Sequence, residues 1–265
     1  MKMKWEAVGE GPPLVLLPGG LTGWLSWLPI AERLSVTRRV VRLQLLSVQL
    51  GLEGRSLPEG YSPATEKMAL ASTLESLDLT PPVDFAAWSY GAEVTLDFAL
   101  DHPQWARSLT LIEPPAFWVL PDLDPATRRQ LDKDRRLPRE NFTEDALEYF
   151  VHRTALVPPG SNPRDLPQWP VWVQHRQSLR AIPCIAEYQA DSGRLSGFTA
   201  PTLLVKGAGS DPGLRRVIDE LAKRLPGAQV AEWPGGHAPH LASTEPFLER
   251  MAALQAAAQR MPATR

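Results

Sequence analysis

The stretch Phe85-Ala86-Ala87-Trp88-Ser89-Tyr90-Gly91-Ala92-Glu93 decides how this chain is read. Residues 83–88 form an apolar run of strand length. Residues 92–100 carry the broad apolar face of a helix, with Val94, Leu96, Phe98, Ala99 and Leu100. A strand that gives way to a helix so abruptly turns sharply, and Ser89 stands at the turn in a strained backbone conformation. The positions two before and two after it come against neighbouring backbone and must be small. Here they are Ala87 and Gly91, a G-x-S-x-G pattern with alanine in its first place. The free N–H groups at the helix start favour negative charge beside the serine, and the Tyr90 N–H is a natural oxyanion donor. A plain helix N-cap is the other reading of Ser89. The strand–turn–helix setting favours a nucleophile.

Working outward, short apolar runs at 14–17, 39–45, 83–88, 108–112, 201–206 and 229–233 alternate with helical patterns at 64–77, 92–100, 214–225 and 246–257. Such alternation predicts an α/β fold, a parallel sheet with helices on both faces. The Ala/Gln-rich C-terminal end reads as a helix tail that frays. Alternation breaks across 117–198, which is dense in charge around 133–140 and carries Phe142, Tyr149, Phe150, Trp169, Trp172 and Tyr188. The expected organisation is therefore a core of residues 1–116 and 199–265 with an insertion at 117–198. An insertion between two strands sits at the strand ends, where ligands of open α/β sheets bind, and so covers a crevice there. A helical extension with its own small core is the alternative. Proline concentrates at 114–125 and 158–170, which predicts irregular, turn-rich chain.

Three further elements bear on chemistry. Leu16-Leu17-Pro18-Gly19-Gly20-Leu21-Thr22-Gly23 is a strand running into a glycine-rich loop, from which Gly20 or Leu21 would supply a second oxyanion N–H. A phosphate-binding loop is excluded, since no Gly-Lys-Ser/Thr follows. Of five histidines, only His237 and His240 follow the last strand. His237 is favoured as the base, because Gly235 and Gly236 free its backbone to present the ring. His102 ends a helix and reads as structural, while His152 and His175 read as surface residues of the insertion. The acid that orients the imidazole belongs on a strand-end loop between serine and histidine. Asp211 fits, with Glu113, directly after the run 108–112, as its rival. Trp24, Trp27, Trp88, Tyr90, Phe117 and Trp118 lie near the strand ends and suggest a largely apolar pocket for a small molecule.

Bulk composition narrows the classes. The chain has 265 residues, 43% of them hydrophobic, and a formal net charge of −2 with no basic face or tail, so neither nucleic acid nor an anionic membrane surface is expected as a partner. Apolar stretches are strand-sized, far short of the roughly 20 residues of a membrane span. The N-terminal ten residues do not read as a signal peptide. The single cysteine, Cys184, excludes an intrachain disulfide and a thiolate metal cluster; a cytoplasmic protein without a metal is the expectation. Oligomeric state is not legible.

With these residues in place, the chain resembles the α/β-hydrolase fold superfamily from about residue 5 to 254, in its serine-nucleophile branch. The resemblance rests on the Ser89 turn, the Ser…acid…His order and the Gly236-His237 loop before the final helix. It implies an eight-stranded, mostly parallel sheet flanked by helices, a helical cap at 117–198, and acyl-enzyme chemistry without a cofactor. Members usually carry His-Gly where this chain has Pro18-Gly19. Their usual Gly-x-x-Asp spacing, counted from Gly207, falls on Ser210 instead of Asp211, and some members take the acid from the earlier strand, where Glu113 lies. The aspartate nucleophile of the dehalogenase and epoxide hydrolase branches is excluded by Ser89. The expected activity is hydrolysis of a small or medium-sized carboxylic ester or lactone. A carbon–carbon bond hydrolase of a diketone-like substrate and a non-catalytic ligand-binding protein are the alternatives.

Overall fold

The computed structural model describes residues 1–261. Among them are seven strands: β1 (Trp5–Val8), β2 (Pro13–Leu17), β3 (Arg39–Leu43), β4 (Val83–Trp88), β5 (Ala106–Ile112), β6 (Thr202–Gly207) and β7 (Gln229–Trp233). They form one sheet in the order β1-β3-β2-β4-β5-β6-β7, parallel throughout except for the antiparallel pair β1–β3. The helices are α1 (Leu28–Leu34), α2 (Leu46–Leu52), α3 (Pro63–Leu74), α4 (Tyr90–Asp101), α5 (Pro125–Asp134), α6 (Glu144–Arg153), α7 (Trp169–His175), α8 (Ile182–Glu187), α9 (Pro212–Arg224), α10 (Pro239–Ala242) and α11 (Thr244–Gln259).

The central strands are buried on both faces, as a parallel sheet between helix layers requires. Side chains alternate across the sheet with a period of two. Val15, Leu17, Phe85 and Ala87 face one layer with α3, α4 and α9. Leu14, Leu16, Ala86 and Trp88 face the other, where Trp27, Phe247 and Met251 pack. Fully burying each Leu, Val or Phe of these layers stabilises the fold by roughly 1.5–3 kcal/mol.

The sheet has seven strands where eight were expected. Its antiparallel edge is β1, a mixed and mostly exposed strand that gives no apolar run to recognise, and Met1–Lys4 ahead of it adopt no strand. The run expected at 39–45 ends at Leu43, because α2 starts at Leu46. Expected helix limits shift by one to three residues, the usual uncertainty of helix ends. The helix of the C-terminal end holds through Gln259, and the fraying expected beyond it falls in part on residues 262–265, outside the described residues.

Between β5 and β6 the chain carries α5 to α8 and four short 3-10 turns, but no strand. Two of those turns, Phe117–Val119 and Pro163–Asp165, fall in the proline-rich segments. This stretch builds its own apolar cluster around Phe142, Leu147, Val151, Trp169, Leu179 and Ile182, which also takes in Leu21 from the glycine-rich loop. No described helix is long and apolar enough to cross a membrane.

Candidate active site

The carboxyl ends of β4, β5 and β6 converge on one point. Ser89 follows β4 with φ 53° and ψ −124°, and Glu113 follows β5 with φ 45°. Left-handed backbone of this kind costs a non-glycine residue about 1–3 kcal/mol and persists only where the surroundings enforce it. The enforcement is visible. The Ser89 N–H donates to the Ile112 carbonyl at 2.8 Å, and the Glu113 N–H donates to the Val205 carbonyl at 3.1 Å, each extending the sheet by one rung. Gly91 lets the turn approach β2: a Cβ there would meet the Pro18 carbonyl oxygen at 2.4 Å. The small residue required at this position is therefore a glycine for a measurable reason.

His237 arrives from the loop after β7 and is buried. Gly235 adopts φ 105°, and Gly236 packs so tightly on the Ala155 carbonyl that a Cβ would lie 1.9 Å from it. The His237 N–H donates to that carbonyl at 3.3 Å, and its own carbonyl accepts from the Trp88 indole at 2.7 Å. The ring is thereby fixed with Nε2 2.7 Å from Ser89 Oγ and Nδ1 2.7 Å from Glu113 Oε2. Glu113 is fully buried and accepts at both oxygens, from the Gly207 N–H at 2.7 Å on Oε1 and from the Ser210 hydroxyl at 2.5 Å on Oε2. A carboxylate accepts only, so Nδ1 carries its proton toward Glu113 and Nε2 is left to accept from Ser89.

The partner of the histidine is thus Glu113, and the preference for Asp211 is corrected. Asp211 is the N-cap of α9, accepting from the Gly213 and Leu214 N–H groups at 2.9 and 3.1 Å. A short polar side chain ahead of a helix finishing its orphan donors explains the residue fully. His240 does not approach Ser89. It is buried against Trp27, Trp88 and Phe247, neither ring nitrogen has a partner among the described residues, and burial holds its pKa down to about 3. It is a neutral core residue. His102 caps α4 and stacks on Phe98, while His152 is exposed. His175 is buried, contrary to its surface reading, and burial lowers its pKa.

Beside the serine lies a cavity that opens to solvent, about 560 Å³ with the open space included. Ser89, His237, Gly20, Tyr90, Phe117 and Leu214 line it. Leu131, Phe150, Leu179, Ile182 and Ile185, all from the stretch between β5 and β6, supply an apolar wall. One ion pair interrupts it: Asp134 and Arg153, both lining the cavity and both shielded from solvent. Burial pushes the Asp134 carboxyl above its ordinary range, and the Arg153 charge opposes that rise. Of the expected pocket aromatics, Phe117 and Tyr90 line the cavity. Trp24, Trp88 and Trp118 do not line it. Trp24 is held at its backbone by Gln44, Trp88 points to the opposite sheet face, and Trp118 turns inward to donate to Glu93 at 3.2 Å. Leu21 packs into the helical cluster between β5 and β6, which leaves Gly20 as the glycine-loop residue on the cavity.

The Tyr90 side chain belongs to a network that sequence reading missed. Its hydroxyl lies 2.9 Å from that of Tyr61, which donates to Glu66 at 2.6 Å, and Glu66 also accepts from the Leu46 and Ser47 N–H groups that open α2. Nothing in the spacing of residues 46, 61, 66 and 90 announces this. The ion pair Asp134–Arg153 is equally silent, because only the fold brings α5 and α6 side by side.

A strand-end serine, a buried histidine and a buried carboxylate on a mostly parallel sheet define a class, and residues 14–250 match the alpha/beta hydrolase family. The chain belongs to that family. It is 26% identical over 260 residues to a pimeloyl-[acyl-carrier protein] methyl ester esterase of Chromobacterium violaceum, covering 95% of this chain and 97% of the relative. It is 34% identical over 110 residues to a 2-hydroxy-6-oxo-2,4-heptadienoate hydrolase of Pseudomonas putida, a match spanning 40% of this chain and only 38% of that protein. Among solved structures, a thermophilic esterase from Thermogutta terrifontis superposes with a TM-score of 0.75 at 20% identity, covering 97% of this chain and 93% of that one. At that identity the likeness is one of fold.

Proposed function

We propose that this hydrolase is an esterase, cleaving a small or medium-sized carboxylic ester or lactone through an acyl-enzyme. The observation that carries the reading is the continuous line from Ser89 Oγ through the His237 ring to Glu113, two contacts of 2.7 Å each. In this reading His237 takes the Ser89 proton at Nε2 while Oγ attacks the carbonyl carbon. The N–H groups of Tyr90 and Gly20 stabilise the oxyanion. The Tyr90 N–H, first in α4, has no acceptor within its own helix. Glu113 stabilises the imidazolium, which then protonates the leaving alcohol. Water enters by the same route, His237 again acting as base, and frees the acid and Ser89. Residues 117–198 act as a cap whose apolar wall receives the acyl or alcohol part of the substrate. The fluorophosphonate test is direct. The wild type should be labelled at Ser89 and the Ser89→Ala variant should not; labelling that persists unchanged in Ser89→Ala removes Ser89 from the mechanism.

A second reading is hydrolysis of a carbon–carbon bond in a diketone-like substrate, which the same three residues can serve. It is favoured by the partial similarity to the heptadienoate hydrolase. Turnover of a short-chain p-nitrophenyl ester beside a vinylogous diketone separates the two. Faster cleavage of the diketone would replace the ester reading.

A further inference from the structure

Ser210 lies three residues past the end of β6, in the loop that leads into α9, and is buried. Its hydroxyl hydrogen is directed at Glu113 Oε2 across 2.5 Å, and the same oxygen receives His237 Nδ1–H at 2.7 Å. The other carboxylate oxygen is held by the Gly207 N–H. The two restraints on the acid therefore come from the last residue of β6 and from the loop that follows it, while the acid itself comes from the end of β5. Glu113 sits on left-handed backbone and reaches over with a longer side chain than aspartate has, so its rotamers need fixing from outside.

A donor that shares Oε2 with the imidazole has two effects. It orients the carboxylate, and it draws on the charge that would otherwise stabilise the imidazolium. We infer that Ser210 is a positioning residue that fixes Glu113 and sets the basicity of His237. This rests on the triad reading above. The other titratable groups around the pair are already engaged or neutral. Asp134 and Arg153 pair with each other in the cavity wall, His240 is buried uncharged beneath Trp88, Asp211 caps α9, and Arg215 is turned to the Gly207 and Ala208 carbonyls. Ser210 is thus the side-chain hydroxyl that touches the acid.

Geometry adds a second consequence for the same position. Serine Oγ is one bond from Cβ and already stands 2.5 Å from the oxygen that serves the histidine. A carboxylate on residue 210 extends about 1 Å further, toward the place that Oε2 leaves when Glu113 is shortened.

Steady-state kinetics and pH profiles on the full chain test this. Ser210→Ala should lower kcat about tenfold, the scale of one hydrogen bond to a charged group, with KM held within about twofold. The acid limb of its kcat/KM profile should move up by about half a pH unit, since Oε2 is then left wholly to the imidazolium. Ser210→Thr, which keeps the hydroxyl, should restore both. Glu113→Ala combined with Ser210→Asp should recover at least about tenfold over Glu113→Ala alone, the recovery expected when a carboxylate again faces Nδ1. An unshifted limb and unchanged kcat in Ser210→Ala overturn the inference, and so does a loss of activity that Ser210→Thr fails to restore. The triad reading fails differently: Ser89 then escapes fluorophosphonate labelling in the wild type, or Ser89→Ala stays active.

Discussion

Ser89 and Glu113 end neighbouring parallel strands on the same unusual backbone, φ 53° and 45°, with the Ser89 N–H bonded to the carbonyl just ahead of Glu113. One strand spacing, about 4.8 Å, therefore separates the two chains that carry them. An imidazole standing over the gap spans it with its two nitrogens. That is the physical reason the acid can come from β5, provided its side chain is long.

The acid assignment predicts opposite outcomes for two carboxylates. Glu113→Gln should lower kcat by about 10³–10⁴-fold, because the amide no longer holds the tautomer or the imidazolium. Asp211→Ala should leave kcat within about threefold while lowering stability by about 1 kcal/mol through loss of the α9 cap. Ester turnover and thermal melting, measured on both variants, check this.

His240 should prove dispensable for turnover and responsible for part of the acid lability. Its pKa falls from an ordinary 6.5 to about 3 on folding, through burial first and then the nearby His237. The unfolded chain therefore binds the proton more readily, and stability is lost as pH falls from 6.5 toward 3, at up to about 1.4 kcal/mol per unit. His240→Phe, completing the cluster of Trp27, Trp88 and Phe247, should retain activity and flatten the fall of Tm between pH 6.5 and 4.

Glu93 predicts the reverse slope. Burial holds its carboxyl well above the ordinary 4.5, and Oε2 has no partner among the described residues. The native state keeps this proton while the unfolded chain releases it, so stability falls as pH rises from 4.5 toward the native value. Glu93→Gln, which resembles the neutral acid, should melt higher than wild type at pH 8 and match it near pH 4. Identical melting at both values would contradict a protonated Glu93.

The cavity wall predicts a size filter. Ile185→Trp should fill space beside Leu131 and Ile182, lowering kcat/KM for a hexanoate ester at least about tenfold, the scale of a lost apolar subsite, while an acetate ester changes less than about threefold. Equal losses for both esters would place the acyl chain elsewhere.

Much of this was legible because it is local. The strand-to-helix turn at Ser89 and the Gly235-Gly236-His237 loop are contiguous signals, and the apolar runs gave six of the seven strands. The edge strand β1 was not, since Trp5–Val8 is short, broken by Glu6 and mostly exposed. The acid was ambiguous because strand-end position does not distinguish a carboxylate that caps a helix from one that faces an imidazole. Glu113 and His237 are 124 residues apart, and only the sheet order brings them together. Pocket aromatics were over-read for a related reason: Trp88 and Ser89 are adjacent in the chain but point to opposite sides of the sheet. The apolar residues that do wall the cavity come from α5, α6, α8 and the 3-10 turn Arg176–Ala181 ahead of α8, whose docking no periodicity predicts.

Left-handed backbone at Ser89 carries an implication for how such a chain tolerates change. Glycine would sit there without complaint, so Ser89→Gly relieves about 1–3 kcal/mol of conformational tension while deleting the group proposed to react. Mutants selected only for heat resistance would drift toward that silent form. Durability and turnover therefore pull against each other at a single Cβ, and a screen for hardier variants of this protein has to score catalysis in the same round.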